Sequence, residues 1–131
     1  MNKGKKDKRV VSVTEKVPLA AFREEHPEAM EKYFTVGEIE ELQSRPLKTK
    51  AGMLAIKRAL ISVCRDLKIK GEFTEQAFVL THKENGAPCV ATLPELYTGS
   101  VYYTGEDFHI SLSHNRDNVY GLAVAVEKHH G

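Results

Sequence analysis

Three polar residues at helical spacing are the clearest candidates for chemistry in this chain. Arg58, Ser62 and Arg65 follow one another at intervals of four and three residues, which places them on one face of an α-helix. Guanidinium groups match phosphate oxygens in geometry and charge, so this face is a candidate anion site. Two arginines on a helix, taken alone, are more typical of an ordinary solvated surface, and the anion site stays the alternative interpretation.

The other face of the same segment is apolar. Side chains recur at three- and four-residue intervals through residues 49–67, at Met53, Ile56, Leu60, Val63 and Leu67. Ala59 and Cys64 widen this stripe. The pattern predicts a long amphipathic helix that forms the centre of the core.

Length and composition limit the class of protein. The 131 residues are enough for one domain with a core, and the net charge of +1 does not indicate a nucleic-acid or membrane partner. The chain lacks the apolar run of about 18 residues that a transmembrane helix needs. Its two cysteines, Cys64 and Cys89, do not form a disulfide framework, so the cytoplasm is the predicted compartment.

Residues 1–9 contain five basic residues and one acid. This composition predicts a disordered basic tail and leaves residues 10–131 as a single domain.

Helices are predicted in the first half of the chain. The β-branched residues 10–14 predict a first strand, with Glu15 at or just past its end. Residues 18–33 predict a helical region that is interrupted or restarted at Pro27. Thr35 followed by Glu38 forms a capping box that predicts a further short helix before the long one.

Strands dominate the second half. They are predicted at residues 77–81, 88–92, 101–103, 108–113 and 119–126, with residues 93–105 otherwise irregular. Asn85-Gly86 predicts a hairpin turn between the first two of these strands. The apolar run 119–126 predicts a central strand that is covered on both faces. Helices followed by hairpin-linked strands indicate an α+β fold with a mainly antiparallel sheet packed against helices.

Four short motifs occur in the order and at the distances of one known enzyme family. Phe34-Thr35 with Glu38 comes first, and residues 51–59 (AGMLAIKRA) are similar to an A-G-x-F-A-x-K-E-A helix. Residues 84–88 (ENGAP) match an N-G-x-P hairpin, and residues 109–114 (HISLSH) match H-x-S-[LI]-[ST]-H. From Phe34 onward the chain therefore resembles the holo-acyl-carrier-protein synthase family of 4′-phosphopantetheinyl transferases.

This resemblance implies a fold, a reaction and partners. The family transfers 4′-phosphopantetheine from coenzyme A to a serine hydroxyl of an acyl or peptidyl carrier protein and releases 3′,5′-ADP. Mg²⁺ is held by an Asp after the first strand and by the Glu of K-E-A, and a Lys one turn later faces the site. Short chains of this family form homotrimers with sites between neighbouring subunits.

The resemblance places three residues of this chain at the catalytic positions. Glu15 stands at the Asp position, Arg58 at the Glu position and Ser62 at the Lys position. Glu15 is therefore the remaining candidate Mg²⁺ ligand, because a cation such as Arg58 cannot ligate a metal ion. A slip of one residue would instead place Thr14 at the Asp position and reverse the strand face.

The remaining matches concern coenzyme A. Lys57, Ser111, Ser113 and His114 resemble residues around the coenzyme A end of the family site, and Arg58 and Arg65 complete the predicted coenzyme A-binding set. Ser111, Ser113 and His114 are also ordinary residues for the polar face and end of a strand, so a folding role stays open.

Two functions of different classes follow. In the first, the chain is a divergent transferase in which Arg58 replaces Mg²⁺ by pairing directly with the diphosphate, Arg65 supports it, and Glu15 either holds a weakly bound metal ion or acts as a base. In the second, the chain is a non-catalytic relative that binds coenzyme A or a carrier protein without transfer. The residue types do not decide between them.

Overall fold

A long helix lying on a three-stranded antiparallel sheet forms the centre of the structure, a computed structural model that describes residues 9–99 and 101–128. The elements in chain order are β1 (Val10–Pro18), α1 (Leu19–Glu25), α2 (Glu28–Tyr33), α3 (Val36–Leu42), α4 (Leu47–Asp66), β2 (Val79–His82), β3 (Pro88–Thr92), β4 (Leu96–Thr98), β5 (Val101–Tyr103), β6 (Phe108–His114) and β7 (Asn118–Val126). Short 3₁₀ turns occupy Glu75–Ala77 and Gly105–Asp107. The predicted α+β class with antiparallel strand pairing is confirmed.

Helix α4 is the predicted long helix, and its apolar stripe is buried throughout. Pro46 precedes its first turn, where a missing N–H costs nothing. Cys64 is fully buried, and this burial raises the pKa of its thiol to about 12, which marks it as a core residue. No helix within the described residues is long and apolar enough to cross a bilayer.

Small residues let α4 approach the sheet closely. A Cβ at Gly121 of β7 would lie only 2.5 Å from the carbonyl carbon of Ala55, and it would also collide with the backbone of Ile56. A Cβ at Gly52 would lie 2.6 Å from Leu112 Cδ1 on β6. Because the contacts at Gly121 involve backbone atoms that cannot rotate away, the position of α4 over β7 depends on that glycine.

The sheet has the order β1-β7-β6, so the prediction of a central strand at 119–126 is confirmed. The prediction that both its faces are covered is wrong for a single chain. Ala123 and Ala125 are buried beneath α4, whereas Leu122 and Val124 on the opposite face are only half-buried. Apolar residues on both faces produced this error, because hydrophobicity alone does not tell a covered face from an exposed one.

Strand β1 is longer than predicted and contains Glu15. It pairs with β7 from Val10 to Pro18, and Glu15 lies opposite Gly121. The alternation of side chains places Glu15 on the face toward α4, while Thr14 is exposed on the other face. The alternative alignment that puts Thr14 toward the helix is therefore not the observed one.

The strand predicted at 77–81 begins two residues later, at Val79, because a 3₁₀ turn precedes it. The side chain of Gln76 in this turn donates hydrogen bonds to the carbonyls of Glu31 (2.8 Å) and Phe34 (3.1 Å). These bonds fasten the turn to helix α2 and the residue after it, a long-range contact with no local signal in the sequence.

The predicted hairpin at Asn85-Gly86 is confirmed, with β2 and β3 paired antiparallel. Gly86 has a φ of +90°, a conformation that glycine adopts without steric cost. The stretch 93–105 is more regular than predicted, since β4 pairs with β5 there.

Residues 1–8 of the predicted tail lie outside the described residues, and the domain boundary stays a prediction. Arg9, the last residue assigned to that tail, is anchored. Its guanidinium forms an ion pair with Glu127 (3.0 Å) and donates to the carbonyl of Asp66 (2.7 Å).

Glu38 connects three elements through buried contacts. It completes the predicted capping box with Thr35, whose backbone N–H donates to Glu38 Oε1 at 2.9 Å. Lys57 Nζ donates to the same oxygen at 2.6 Å and to the carbonyl of Tyr33 at 2.9 Å, and the Leu80 N–H donates to Glu38 Oε2 at 2.8 Å. Lys57 is 0% and Glu38 3% exposed. Burial lowers the pKa of Lys57, and its hydrogen bond to Glu38 opposes that shift.

We expect Lys57→Met to lower the free energy of unfolding by about 3–5 kcal/mol, because it leaves the Glu38 carboxylate buried without its cation. Chemical denaturation measures this loss. Lys70→Met, at an exposed lysine, is the control and should change stability by no more than about 0.5 kcal/mol. A second substitution, Glu38→Gln in the Lys57→Met background, should recover part of the loss. A loss below about 1 kcal/mol for Lys57→Met would contradict a structural role for the pair.

Candidate anion-binding cleft

A cleft of about 340 Å³ opens between α4, β1 and the segment before β2. Its lining residues are Glu15, Arg58, Ile61, Ser62, Arg65, Phe73, Thr74 and Glu75. Four of the residues predicted from the sequence, namely Glu15, Arg58, Ser62 and Arg65, therefore come together in one place.

Glu15 and Ser62 meet where β1 passes α4. The Ser62 hydroxyl donates to Glu15 Oε2 at 3.0 Å, and both side chains are partly exposed to the cleft. This hydrogen bond fixes the orientation of the carboxylate. A carboxylate held in this way can accept a proton from a ligand placed in the cleft.

Arg58 is oriented by two neighbours. Its Nε lies 3.5 Å from Glu75 Oε2, and its guanidinium lies over the ring of Tyr33 at 5.1 Å from the ring centroid. The aromatic face positions a cation without using its hydrogen-bond donors. Arg65, two turns along the same helix face, is exposed.

The donor set of the cleft does not fit Mg²⁺, the ion that the family resemblance implies. Mg²⁺ requires oxygen ligands in near-octahedral geometry, usually carboxylates with phosphate oxygens and water. Here Glu15 already accepts from Ser62 and Glu75 pairs with Arg58, and the cationic side chains of Arg58 and Arg65 also line the cleft. Among the described residues no group of three or more His, Cys, Asp or Glu could hold a metal ion.

Lys57 does not belong to the cleft. The prediction that it contacts coenzyme A needs correction, because its ammonium is buried against Glu38 and the Phe34 ring, 4.4 Å from the ring centroid. Adjacent residues on a helix point about 100° apart, so Lys57 faces the core while Arg58 faces the cleft.

Ser111 and Ser113 are not brought to the cleft within one chain. On β6 they lie on the sheet face opposite α4, in register with Leu122 and Tyr120 of β7. His114 ends β6 and is exposed. Their predicted contact with coenzyme A stays a prediction.

Sequence reasoning missed the outer wall of the cleft, which Phe73, Thr74 and Glu75 form, and it missed Tyr33. Phe73–Glu75 lies in a stretch without helical or strand periodicity. Glu75 is 17 positions from Arg58, so no motif connects the two. The sequence places no acid three or four residues from Arg58 on its helix, and this could have prompted a search for an acidic partner elsewhere in the chain.

No protein-family model and no curated protein matches the chain. Solved structures do match its fold. They include a holo-(acyl-carrier-protein) synthase from Bacillus anthracis in complex with CoA (3′,5′-ADP), with 16% identity, a TM-score of 0.68, and coverage of 89% of this chain and 96% of that one. The ACPS–CoA complex of Chronobacterium ammoniagenes has 18% identity, a TM-score of 0.69, and coverage of 92% and 99%.

The holo-[acyl-carrier-protein] synthase of Helicobacter pylori in complex with coenzyme A is similar to a comparable degree, with 17% identity and a TM-score of 0.63. It matches 89% of this chain and 100% of that one. The three matches cover 89–92% of this chain, and the likeness in fold agrees with the family that the motifs indicate. The chain therefore has the fold of the holo-acyl-carrier-protein synthases.

Proposed function

We propose that the cleft binds the diphosphate of coenzyme A and that the protein transfers 4′-phosphopantetheine to a serine of a carrier protein. The observation that carries this proposal is the convergence of Glu15, Ser62, Arg58 and Arg65 in one cleft of a holo-acyl-carrier-protein synthase fold. Several proteins that share the fold are complexes with coenzyme A. The two free cysteines fit the reducing cytoplasm as the compartment.

The arginines supply the electrostatic part of this reaction. Guanidinium groups pair with phosphate oxygens through charge-assisted hydrogen bonds. Arg58 and Arg65 neutralise the diphosphate and stabilise the charge that develops on the departing 3′,5′-ADP. Arg58 thereby replaces the divalent cation that its position in the family motif would otherwise help to hold.

Glu15 supplies the proton acceptor. The carrier serine oxygen forms a bond to the phosphorus next to pantetheine, the bond from that phosphorus to 3′,5′-ADP breaks, and the serine proton passes to Glu15. The hydrogen bond from Ser62 holds the carboxylate in place for this step. Ser62 is a positioning residue in this scheme.

A second candidate function is binding of coenzyme A or a carrier protein without transfer. The paired charges of the cleft favour it, because Glu75 already occupies Arg58. The two functions predict different masses for the carrier protein. A transferase raises the mass of a carrier protein by one phosphopantetheinyl group, whereas a binding protein leaves that mass unchanged.

A homotrimer would bring together the two groups of predicted site residues, those that line the cleft and those at β6. The sheet face opposite α4 exposes Val10 and Val126 and leaves Leu122 and Val124 half-buried, which makes it a suitable surface for contact with a second copy. Ser111 and Ser113 lie on the same face. We propose that a neighbouring subunit brings these serines and His114 to the cleft.

Coenzyme A should bind to the purified protein in calorimetric titration with equal affinity in Mg²⁺ and in EDTA, because the cleft provides cations rather than a metal site. Arg58→Ala should weaken binding by about tenfold or more, the value of a hydrogen bond to a charged group. Arg23→Ala, at an exposed arginine of α1, is the control. Binding that requires Mg²⁺ would reject Arg58 as the substitute cation, and absence of binding would reject the proposed function.

Arg58→Glu should make coenzyme A binding dependent on Mg²⁺. The substitution removes the cation and adds a third carboxylate beside Glu15 and Glu75, a donor set that suits a hard divalent ion. The measurement is coenzyme A titration of this variant across Mg²⁺ concentrations, with Arg58→Ala as the control that lacks the added carboxylate. If Mg²⁺ affects coenzyme A binding by Arg58→Glu no differently than it affects binding by the wild type, Arg58 is not part of the site.

Light scattering should give three times the chain mass for the wild-type protein. Val124→Lys should lower that mass, because it introduces a charge into the apolar sheet face. Val36→Lys is the matched control, since Val36 is 74% exposed on α3 and away from that face. A wild-type monomer at working concentration would count against a shared site.

A further inference from the structure

The segment that carries Glu75 is anchored on both sides of the cleft wall. The Phe73 ring packs edge-on against Phe78, with 5.8 Å between ring centroids. On the other side, the Gln76 side chain bonds the carbonyls of Glu31 and Phe34. These contacts hold the backbone around Glu75 against α2 and the buried Phe78, so an exchange of partners would involve the Glu75 side chain.

The ion pair between Glu75 and Arg58 is long and solvated. Its N–O separation is 3.5 Å, whereas a charge-assisted hydrogen bond is typically about 2.7–2.9 Å. The side chains are 34% and 24% exposed for Arg58 and Glu75, so water and salt screen the attraction. A weak pair of this kind is readily replaced by a phosphate oxygen at the same guanidinium.

Glu75 is the carboxylate of the cleft that forms an ion pair with one of its arginines. Glu15 is held by Ser62, while Arg65 has no ion pair within the part of the chain that the structure describes. An anionic ligand can reach Arg65 directly, but it competes with Glu75 for Arg58. Arg58 and Arg65 are separated by about 10 Å of helix rise, so a ligand with more than one phosphate group is best suited to engage both.

We propose that Glu75 is an internal counter-anion that occupies Arg58 in the free protein and is displaced when a diphosphate ligand binds. This inference rests on the proposed function, because it assigns the regulation of the same cleft. In this role the Glu75 carboxylate balances the positive charge of Arg58 before a ligand binds. It therefore lowers the affinity of the cleft for any anion that must displace it from Arg58.

Titration with inorganic pyrophosphate and with coenzyme A tests this role. Glu75→Gln keeps the shape of the side chain and removes its charge, and it should tighten both ligands about two- to fivefold, the free energy of an exposed ion pair expressed as an affinity. Glu72→Gln, a matched change at an exposed acid three residues earlier, should leave both affinities unchanged. Thermal denaturation of both variants checks that they fold.

The outcomes separate this inference from the function on which it rests. If Glu75→Gln binds as the wild type does, or more weakly, or if Glu72→Gln tightens binding equally, Glu75 is not a specific counter-anion. In those cases, a loss of affinity in Arg58→Ala would still support the cleft as the binding site of coenzyme A. If the wild type binds neither pyrophosphate nor coenzyme A, the counter-anion role and the proposed function both fail.

Discussion

The close approach of α4 to β7 at Gly121 is the constraint on which the rest of the structure depends. Backbone lies almost against backbone there, so the helix cannot shift outward or rotate without losing its contact with the sheet. Because the helix is fixed over the middle strand, its margins border β6 on one side and β1 on the other. The pairing of Ser62 with Glu15 follows from that placement.

The same constraint divides consecutive residues of α4 between two environments. Lys57 enters the core and holds Glu38, and Arg58 enters the cleft and holds Glu75. Both are cations paired with glutamates. Burial makes the first pair a fixed structural contact, while solvent makes the second a contact that a ligand can exchange. Two adjacent basic residues of one helix can therefore have different roles, and their residue types alone do not show which role each has.

Much of the fold and half of the candidate site could be predicted from the sequence because the signals are local. The apolar stripe of α4, the Thr35–Glu38 capping box and the Asn85-Gly86 turn each depend on residues close together in the chain. The grouping of Arg58, Ser62 and Arg65 follows from helical periodicity, and the family motif added Glu15. The burial of Lys57, the pairing of Glu75 and the sheet face of Ser111 depend on contacts across the fold, which no local pattern records.

If neighbouring subunits share the proposed site, the two faces of the sheet also determine how its activity depends on protein concentration. The cleft lies on the α4 side, and Ser111 and Ser113 lie on the other, so the serines do not line the cleft of their own chain. Any activity that needs both sets obeys mass action between chains. Dilution would then abolish it while every chain remained folded, and the amount of protein in the cell would itself act as a control on the reaction.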